Sequence, residues 1–168
     1  IPMGKTRAHA GGAGASIKYR SITENLHVIH ICESSGKGYK IMYQSQTWPV
    51  ARDRCKADGA KLAVPETEEE FLFIQKLVRA MSYPNVTGTD FKLLVWLGIN
   101  NIDDYKTWVT IDGKKLEDTG FHKWAQGNGE GFSNAVEEPH CVGLDAANFG
   151  LRDYWCHRRQ PYVCQMNF

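Results

Sequence analysis

The residues of this sequence best suited to covalent or metal chemistry are its five cysteines: Cys32, Cys55, Cys141, Cys156 and Cys164. No CxxC pair and no Cys/His group at zinc-finger spacing joins them, so the pattern does not indicate a zinc site. Disulfides are the better interpretation, and the last three cysteines fall within residues 141–168. This predicts a cross-linked, loop-rich C-terminal half in an oxidising compartment.

A second group of potential metal ligands is His27-x-x-His30-x-Cys32. At helical spacing these side chains could share a metal ion. The apolar residues of segment 17–32 fit either a strand or a short helix, because short apolar runs do not separate the two. Two half-exposed histidines on an ordinary element are therefore favoured over a metal site.

Paired acids and a glycine-rich segment are the remaining candidates for chemistry. Asp103 and Asp104, like Glu137 and Glu138, are adjacent in the chain, and adjacent side chains point apart on a strand. No serine or cysteine nucleophile has a plausible base. The segment 127–132, GNGEGF, lacks the preceding strand and following helix of a phosphate-binding loop. We expect a protein that is not an enzyme.

The composition indicates one folded domain with no bias toward charged partners. The chain has 168 residues, of which 42% are hydrophobic and 23% charged. Its 20 Lys and Arg nearly balance 19 Asp and Glu, for a net charge of +1, so we expect no nucleic-acid partner. The longest apolar stretch, 93–99, is far shorter than the roughly 20 residues of a membrane-spanning helix, so we expect no membrane span.

The sequence does not open with a signal-peptide pattern, so the protein is either cytosolic or has lost its signal peptide. The cysteines favour a secreted, extracellular protein. Asn85-Val86-Thr87 is an N-glycosylation sequon, which agrees with secretion and predicts a glycoprotein.

Two amphipathic helices are predicted in the first half. Thr47 as a hydroxyl cap, with Pro49 in the first turn, predicts a helix that runs to Gly59. Thr67 and Glu70 form a capping-box pattern ahead of a second helix. The buried stripe of the first helix contains Trp48, Ala51 and Cys55, and that of the second contains Phe71, Ile74, Leu77, Val78 and Met81.

Short strands are predicted around and after these helices. Tyr39, Ile41 and Tyr43 alternate with other residues as in a strand. The later strands are expected at 94–99, 106–111, 141–144, 151–156 and 162–166. Two early helices followed by many short strands predict an α+β fold.

Taken together, these segments resemble the C-type lectin-like domain over about residues 38–168. The resemblance implies an α+β fold with two helices flanking short antiparallel sheets, a long loop region and two disulfides. Residues 1–16 contain five Gly or Pro residues and no periodic apolar pattern, so we expect a flexible N-terminal tail there, followed by an extension with Cys32 at 17–37. The matching residues are Thr47-Trp48-x-x-Ala51-x-x-x-Cys55-x-x-x-Gly59-x-x-Leu62-Ala63, Val95-Trp96-Leu97-Gly98-Ile99, Trp108, Phe121, Trp124, Cys141-Val142, Cys156 and Tyr162-Val163-Cys164.

The resemblance further implies the disulfides Cys55–Cys164 and Cys141–Cys156. Family members with an N-terminal hairpin normally carry two cysteines there, whereas this chain has only Cys32. We expect Cys32 either to stay unpaired or to link two chains in a disulfide-bonded dimer.

Members of this family that bind sugar do so through calcium, which takes six to eight oxygen ligands. The family's Glu-Pro-Asn triad is replaced here by Asn128-Gly129-Glu130, and its Trp-Asn-Asp triplet by Leu151-Arg152-Asp153. Arg152 puts a cation where a calcium ligand belongs. The calcium and sugar motif is thus degenerate, and the candidate calcium ligands that survive are Asn128, Glu130, Glu138 and Asp153.

The same loops carry Arg152, His157, Arg158 and Arg159, with Tyr154 and Trp155 interleaved. Such a cluster can hold sulfated or phosphorylated glycans by charge-assisted hydrogen bonds and stacking. A solvated basic turn is the alternative. A histidine in the cluster predicts glycan binding that strengthens as the pH falls toward about 6.

The sequence therefore predicts a secreted carbohydrate-binding recognition protein for microbial or other extracellular glycans, of the kind used in innate immunity. Its ligand-binding residues would be Asn128, Glu130, Arg152, Asp153, His157, Arg158 and Arg159. The alternative is a calcium-independent module that binds a protein or an anionic glycan on a cell surface, as a monomer or a Cys32-linked dimer.

Overall fold

A computed structural model describes residues 19–24, 27–129 and 138–168. The described residues form nine strands and two α-helices. The helices are α1 (Trp48–Ala57) and α2 (Glu68–Arg79). The strands are β1 (Tyr19–Glu24), β2 (His27–Cys32), β3 (Lys37–Gln46), β4 (Lys61–Leu62), β5 (Val95–Asn100), β6 (Val109–Thr110), β7 (His140–Leu144), β8 (Arg152–Trp155) and β9 (Gln160–Asn167).

The strands build one sheet in the order β1-β2-β3-β9-β5-β7-β8. The two ends of the main domain meet in its centre, where β3 pairs with β9 antiparallel from Lys37↔Asn167 to Met42↔Tyr162. β5 pairs with β9 in parallel, at Trp96↔Tyr162. Short β4 and β6 attach to β9 and β5. The mixed α+β architecture agrees with the fold class expected from the sequence.

The core lies on both faces of this sheet. Successive side chains of β5 point to opposite faces, so Trp96 packs with Trp48 of α1 while Leu97 packs with Phe71 of α2. The Trp48 indole also donates to the carbonyl of Leu97 at 2.7 Å, a bond that fixes α1 to β5. No helix in the described ranges is both long and apolar enough to cross a membrane.

Helix α1 buries the predicted stripe of Trp48, Ala51 and Cys55. Its start differs from the expectation, because the Thr47 hydroxyl makes no capping hydrogen bond. Only the backbone carbonyl of Thr47 accepts a bond, from the N–H of Ala51 at 2.9 Å. Proline in the first turn has no N–H to satisfy, which reduces the need for a side-chain cap.

Helix α2 begins with half of the predicted capping box. The Thr67 hydroxyl accepts the N–H of Glu70 at 3.1 Å. The Glu70 carboxylate accepts the N–H of Glu66 at 2.8 Å and pairs with Lys37 at 2.8 Å. Glu70 is 6% exposed, so its charge needs these donors. The helix start is thereby tied to strand β3.

The N-terminal extension is a hairpin of β1 and β2 rather than a helix. β2 pairs with β3 at His30↔Tyr39, so the hairpin continues the main sheet. On a strand His27 and His30 point to opposite faces, which separates them as ligands. No cluster of three or more His, Cys, Asp or Glu able to hold a metal ion occurs among the described residues. The tail 1–16 lies outside the described residues.

In the hairpin 106–116 the first strand, β6 (Val109–Thr110), is shorter than the strand expected at 106–111. The Asp104 carboxylate accepts the N–H of Lys106 at 3.0 Å and the hydroxyl of Thr107 at 2.9 Å, which makes a turn. Only Val109–Thr110 pair with β5. Gly113, with φ of 81°, lies in the turn that follows β6.

Both disulfides implied by the resemblance are present. Cys55–Cys164 joins α1 to β9 across 109 residues of sequence, and Cys141–Cys156 joins β7 to the end of β8 across 15. Cys32 is free in this structure and 0% exposed. A Cys32 disulfide between two chains would therefore require the first hairpin to move.

Removing the longer disulfide should destabilise the fold more than removing the shorter one. The Cys55→Ala/Cys164→Ala double variant should lose about 4–5 kcal/mol of unfolding free energy, and Cys141→Ala/Cys156→Ala about 3 kcal/mol, because a longer closed loop restricts the unfolded chain more. Guanidinium unfolding at equal pH measures both. An equal or larger loss for the Cys141–Cys156 pair would contradict this account.

Candidate functional site

Strands β7 and β8 form the floor of the candidate site. They pair antiparallel at His140↔Trp155 and Val142↔Asp153. The Cys141–Cys156 disulfide holds these two strands together. The segment 120–129 adjoins the start of β8. There the N–H of Ala125 donates to the carbonyl of Leu151 at 2.9 Å, and the N–H of Leu151 donates to the carbonyl of Lys123 at 2.8 Å.

Both carboxylate oxygens of Asp153 are engaged by protein donors. Oδ1 accepts the backbone N–H of Gly129 at 3.0 Å, and Oδ2 lies 2.7 Å from Nδ1 of His140. The backbone N–H of Asp153 in turn donates to Oδ1 of Asn128 at 3.1 Å. Asp153 thus connects the loop residues Asn128 and Gly129 to His140 on the neighbouring strand β7.

These contacts explain the titration of Asp153. Burial alone would raise its pKa, but the hydrogen bonds from His140 and Gly129 and the charge of His140 outweigh burial. The pKa of Asp153 therefore lies below its ordinary value of 3.8. The carboxylate is the form that the folded protein stabilises.

His140 is fixed on three sides. Its backbone N–H donates to Oδ1 of Asn101 at 2.8 Å, and its ring meets the Trp155 ring edge-on at 6.2 Å. Its Nδ1 is committed to Asp153. Within the described part of the chain, Nε2 of His140 is buried without a hydrogen-bond partner.

Arg152 points away from this cluster. Its guanidinium lies 2.5 Å from the Asp145 carboxylate, which also accepts the backbone N–H groups of Ala147 and Asn148. Burial acts to raise the pKa of Asp145, but the bonds from Asn148, Arg152 and Ala147 lower it. Neighbours on a strand face opposite sides, so Arg152 and Asp153 are separated.

One member of the expected four-residue basic cluster, Arg152, is paired with Asp145 in the structure. The other three, His157, Arg158 and Arg159, are exposed in the turn between β8 and β9. The Arg158 guanidinium lies over the Trp155 ring, 5.7 Å from its centroid. An exposed cationic turn backed by one indole remains.

The family model described as "Lectin C-type domain" matches residues 44–166. The chain belongs to the C-type lectin domain family. A hemolymph lipopolysaccharide-binding protein of Periplaneta americana is 30% identical over 129 residues, which cover 76% of this chain and 48% of that protein. The chain thus spans about half the length of this relative.

Solved C-type lectin structures share the fold. The mouse scavenger receptor C-type lectin carbohydrate-recognition domain aligns with a TM-score of 0.62 at 19% identity, covering 79% of this chain and 91% of that one. A calcium-independent type II antifreeze protein aligns with a TM-score of 0.60 at 20% identity, covering 79% and 87%. At these identities the likeness shows the fold alone.

The residues of this C-type lectin domain that the structure describes do not fit a calcium ion at Asp153. Both of its oxygens already accept N–H donors, and Oδ1 of Asn128 accepts another. Glu138 is exposed and has no hydrogen bond to the described residues around it. Glu130 and Glu137 lie outside the described residues. A calcium ion needs six to eight oxygen ligands. At Asp153 the neighbouring side chain is instead the imidazole of His140, which donates a hydrogen bond to the carboxylate.

Reasoning from the sequence singled out Asp153 and Asn128 but missed His140. The positions of the cysteines carried a signal for this contact. His140 directly precedes Cys141, and Asp153 lies three residues before its disulfide partner Cys156. Two such residues can meet across paired strands. Their contact became visible only once the pairing of β7 with β8 was known.

The Asp153→Asn variant should lose about 2 kcal/mol of unfolding free energy at pH 7, since it removes charge-assisted hydrogen bonds. Because the folded-state pKa of Asp153 is lowered, its contribution is present above about pH 4 and disappears as the pH falls through that lowered pKa. The difference in melting temperature between wild type and variant should therefore shrink as the pH is lowered from 7 to 3.

The matched control is Asp103→Asn, which changes an exposed carboxylate. It should leave the melting temperature unchanged throughout this range. A constant difference between wild type and Asp153→Asn down to pH 3 would show that the charge of Asp153 plays no part.

Proposed function

We propose that this C-type lectin domain is a secreted recognition module for anionic extracellular glycans. We further propose that glycan binding does not require a calcium ion bound at Asp153. The observation that carries the proposal is the engagement of both Asp153 oxygens by His140 and Gly129. In a calcium-dependent site such oxygens would be held for the metal and the sugar. Here they hold the loop instead.

Calcium-independent binding is compatible with this fold. One solved protein of this fold is described as calcium-independent. The Periplaneta relative is named for binding lipopolysaccharide, and the turn at residues 157–159 of this chain presents exposed positive charge. An anionic microbial glycan is therefore the ligand class that we propose, with a role in innate immunity.

The turn His157–Arg159 supplies the proposed contact surface. Arg158 rests on Trp155 and is exposed, so its guanidinium is oriented before a ligand arrives. Guanidinium groups pair with phosphate or sulfate in two parallel hydrogen bonds. His157 and Arg159 add positive charge on the same turn. Since Arg152 is paired with Asp145, we assign the binding role to the turn alone.

Two further features support an extracellular location. Two disulfides suit an oxidising compartment. The sequon residue Asn85 is exposed in a short 3₁₀ turn, Tyr83–Asn85, where a glycan could be attached.

Purified lipopolysaccharide should bind the domain saturably and with equal affinity in calcium and in chelator. The Arg158→Ala variant should bind about fivefold more weakly, because one charge-assisted contact is lost. Surface plasmon resonance on immobilised lipopolysaccharide measures both effects, with neutral mannan as a comparison surface.

The matched control is Arg52→Ala, because Arg52 is also exposed and lies over a tryptophan, 5.4 Å from the Trp48 ring centroid. It should bind lipopolysaccharide like the wild type. Binding that vanishes in chelator would contradict calcium independence. The absence of saturable binding to any glycan would refute the proposal and favour a protein partner.

A further inference from the structure

A second candidate binding surface lies between the hairpin 106–116 and the segment 122–124. It is a cavity of about 230 Å³. This is smaller than the roughly 300–1,000 Å³ of pockets for drug-sized ligands, and is of a size to take a single sugar ring. The cavity is lined by Lys106, Thr107, Trp108, Lys115, Leu116, Glu117, His122 and Trp124.

Two half-buried indoles form the apolar wall of this cavity. The ring centroids of Trp108 and Trp124 are 4.9 Å apart and their planes are tilted by 54°. Gly129 lies so close to Trp124 that a Cβ there would come within 2.3 Å of its ring, so the loop backbone covers part of that indole. The C–H face of a pyranose packs on such indoles as an apolar surface.

The walls are held in place before any ligand binds. The carbonyl of Trp108 accepts the N–H of Leu116 at 2.9 Å, which closes the hairpin. The Thr119 hydroxyl contacts the carbonyls of Leu116 at 2.7 Å and Phe121 at 2.9 Å, and the Thr119 carbonyl lies 3.0 Å from Nδ1 of His122. A site fixed in this way loses little conformational entropy on binding.

The polar lining has an excess of positive charge. Lys106 and Lys115 are exposed. Among residues 19–24, 27–129 and 138–168 neither forms an ion pair within 4.0 Å, although the nearby Asp104 carboxylate interacts with the charge of Lys106. His122 engages Nδ1 with Thr119, so Nε2 is the ring nitrogen available to a ligand. Glu117 is the acid of the lining, and its carboxylate can accept sugar hydroxyls.

A larger cavity beside α1 differs in this respect. It also has charged walls, but Lys61 pairs with Asp112 at 2.6 Å and Arg52 with Asp53 at 3.0 Å. Paired charges of this kind attract an anion less. The tryptophan cavity combines two indoles with two lysines that form no such close ion pair to the described residues.

We infer that the cavity between Trp108 and Trp124 binds an acidic sugar residue, with the ring against the indoles and the carboxylate or phosphate at Lys106 and Lys115. This inference rests on the proposed function, because it assigns a site and a substituent to the glycan. It is separate from the turn at residues 157–159, because no residue of that turn lines the cavity.

Two-dimensional NMR of the tryptophan indole N–H groups tests the inference in the intact chain. The Trp108→Phe and Trp124→Phe variants assign the two signals. Glucose 6-phosphate, glucuronic acid and glucose are the probes, and their comparison separates phosphate from carboxylate recognition. We expect both acidic sugars to shift the Trp108 and Trp124 signals saturably, at concentrations at least about fivefold lower than glucose.

Lys115→Met should raise the dissociation constant for glucose 6-phosphate about fivefold, whereas the neighbouring Lys114→Met should leave it unchanged. Lys114 is exposed on the same hairpin but does not line the cavity. An equal effect of the two variants would overturn the inference, as would acidic sugars that leave both indole signals unmoved.

The outcome is distinguishable from the test of the proposed function. If lipopolysaccharide binds and Arg158→Ala weakens it while both indole signals stay still, the cavity inference fails and the proposed function stands. If acidic sugars shift the indoles while no larger glycan binds, the cavity inference stands and the proposed function fails.

Discussion

The pairing of β3 with β9 is the interaction on which the rest of the fold depends. It joins residues 37–46 to residues 160–167, so that the two ends of the domain close the middle of the sheet. The Cys55–Cys164 disulfide reinforces it from the helix side. Because β9 also pairs with β5, the position of β7 and β8 follows from this closure. The candidate site is therefore built on strands whose place is set by contacts far from it.

A single, largely buried carboxylate then helps to attach the loop residues 128–129 to that sheet. A buried charge must be paired or hydrogen-bonded. Family members that bind sugar satisfy such a carboxylate with calcium, whereas Asp153 is satisfied by His140 and the backbone of Gly129. In this account the donors that replace the metal belong to the chain itself. The exposed turn and the tryptophan cavity are the surfaces that we propose for ligand binding.

Local patterns and the family resemblance allowed much of the fold to be predicted from the sequence. The stripe Trp48, Ala51 and Cys55 depends only on helical spacing, and it is buried as expected. The features that were missed depend on distant residues. Arg152 lies in the motif but pairs with Asp145, and the role of His140 requires the register of β7 with β8. The strand expected at 106–111 shortened because Asp104 captures local donors in a turn.

The most direct test of the central claim is a calcium titration by isothermal calorimetry on the wild-type chain and on Asp153→Asn. If His140 and Gly129 take the place of the metal, neither protein should release binding heat attributable to Asp153, and the two titrations should coincide. Saturable calcium binding by the wild type that Asp153→Asn abolishes would contradict the account, because the carboxylate would then prefer calcium to the protein's own donors.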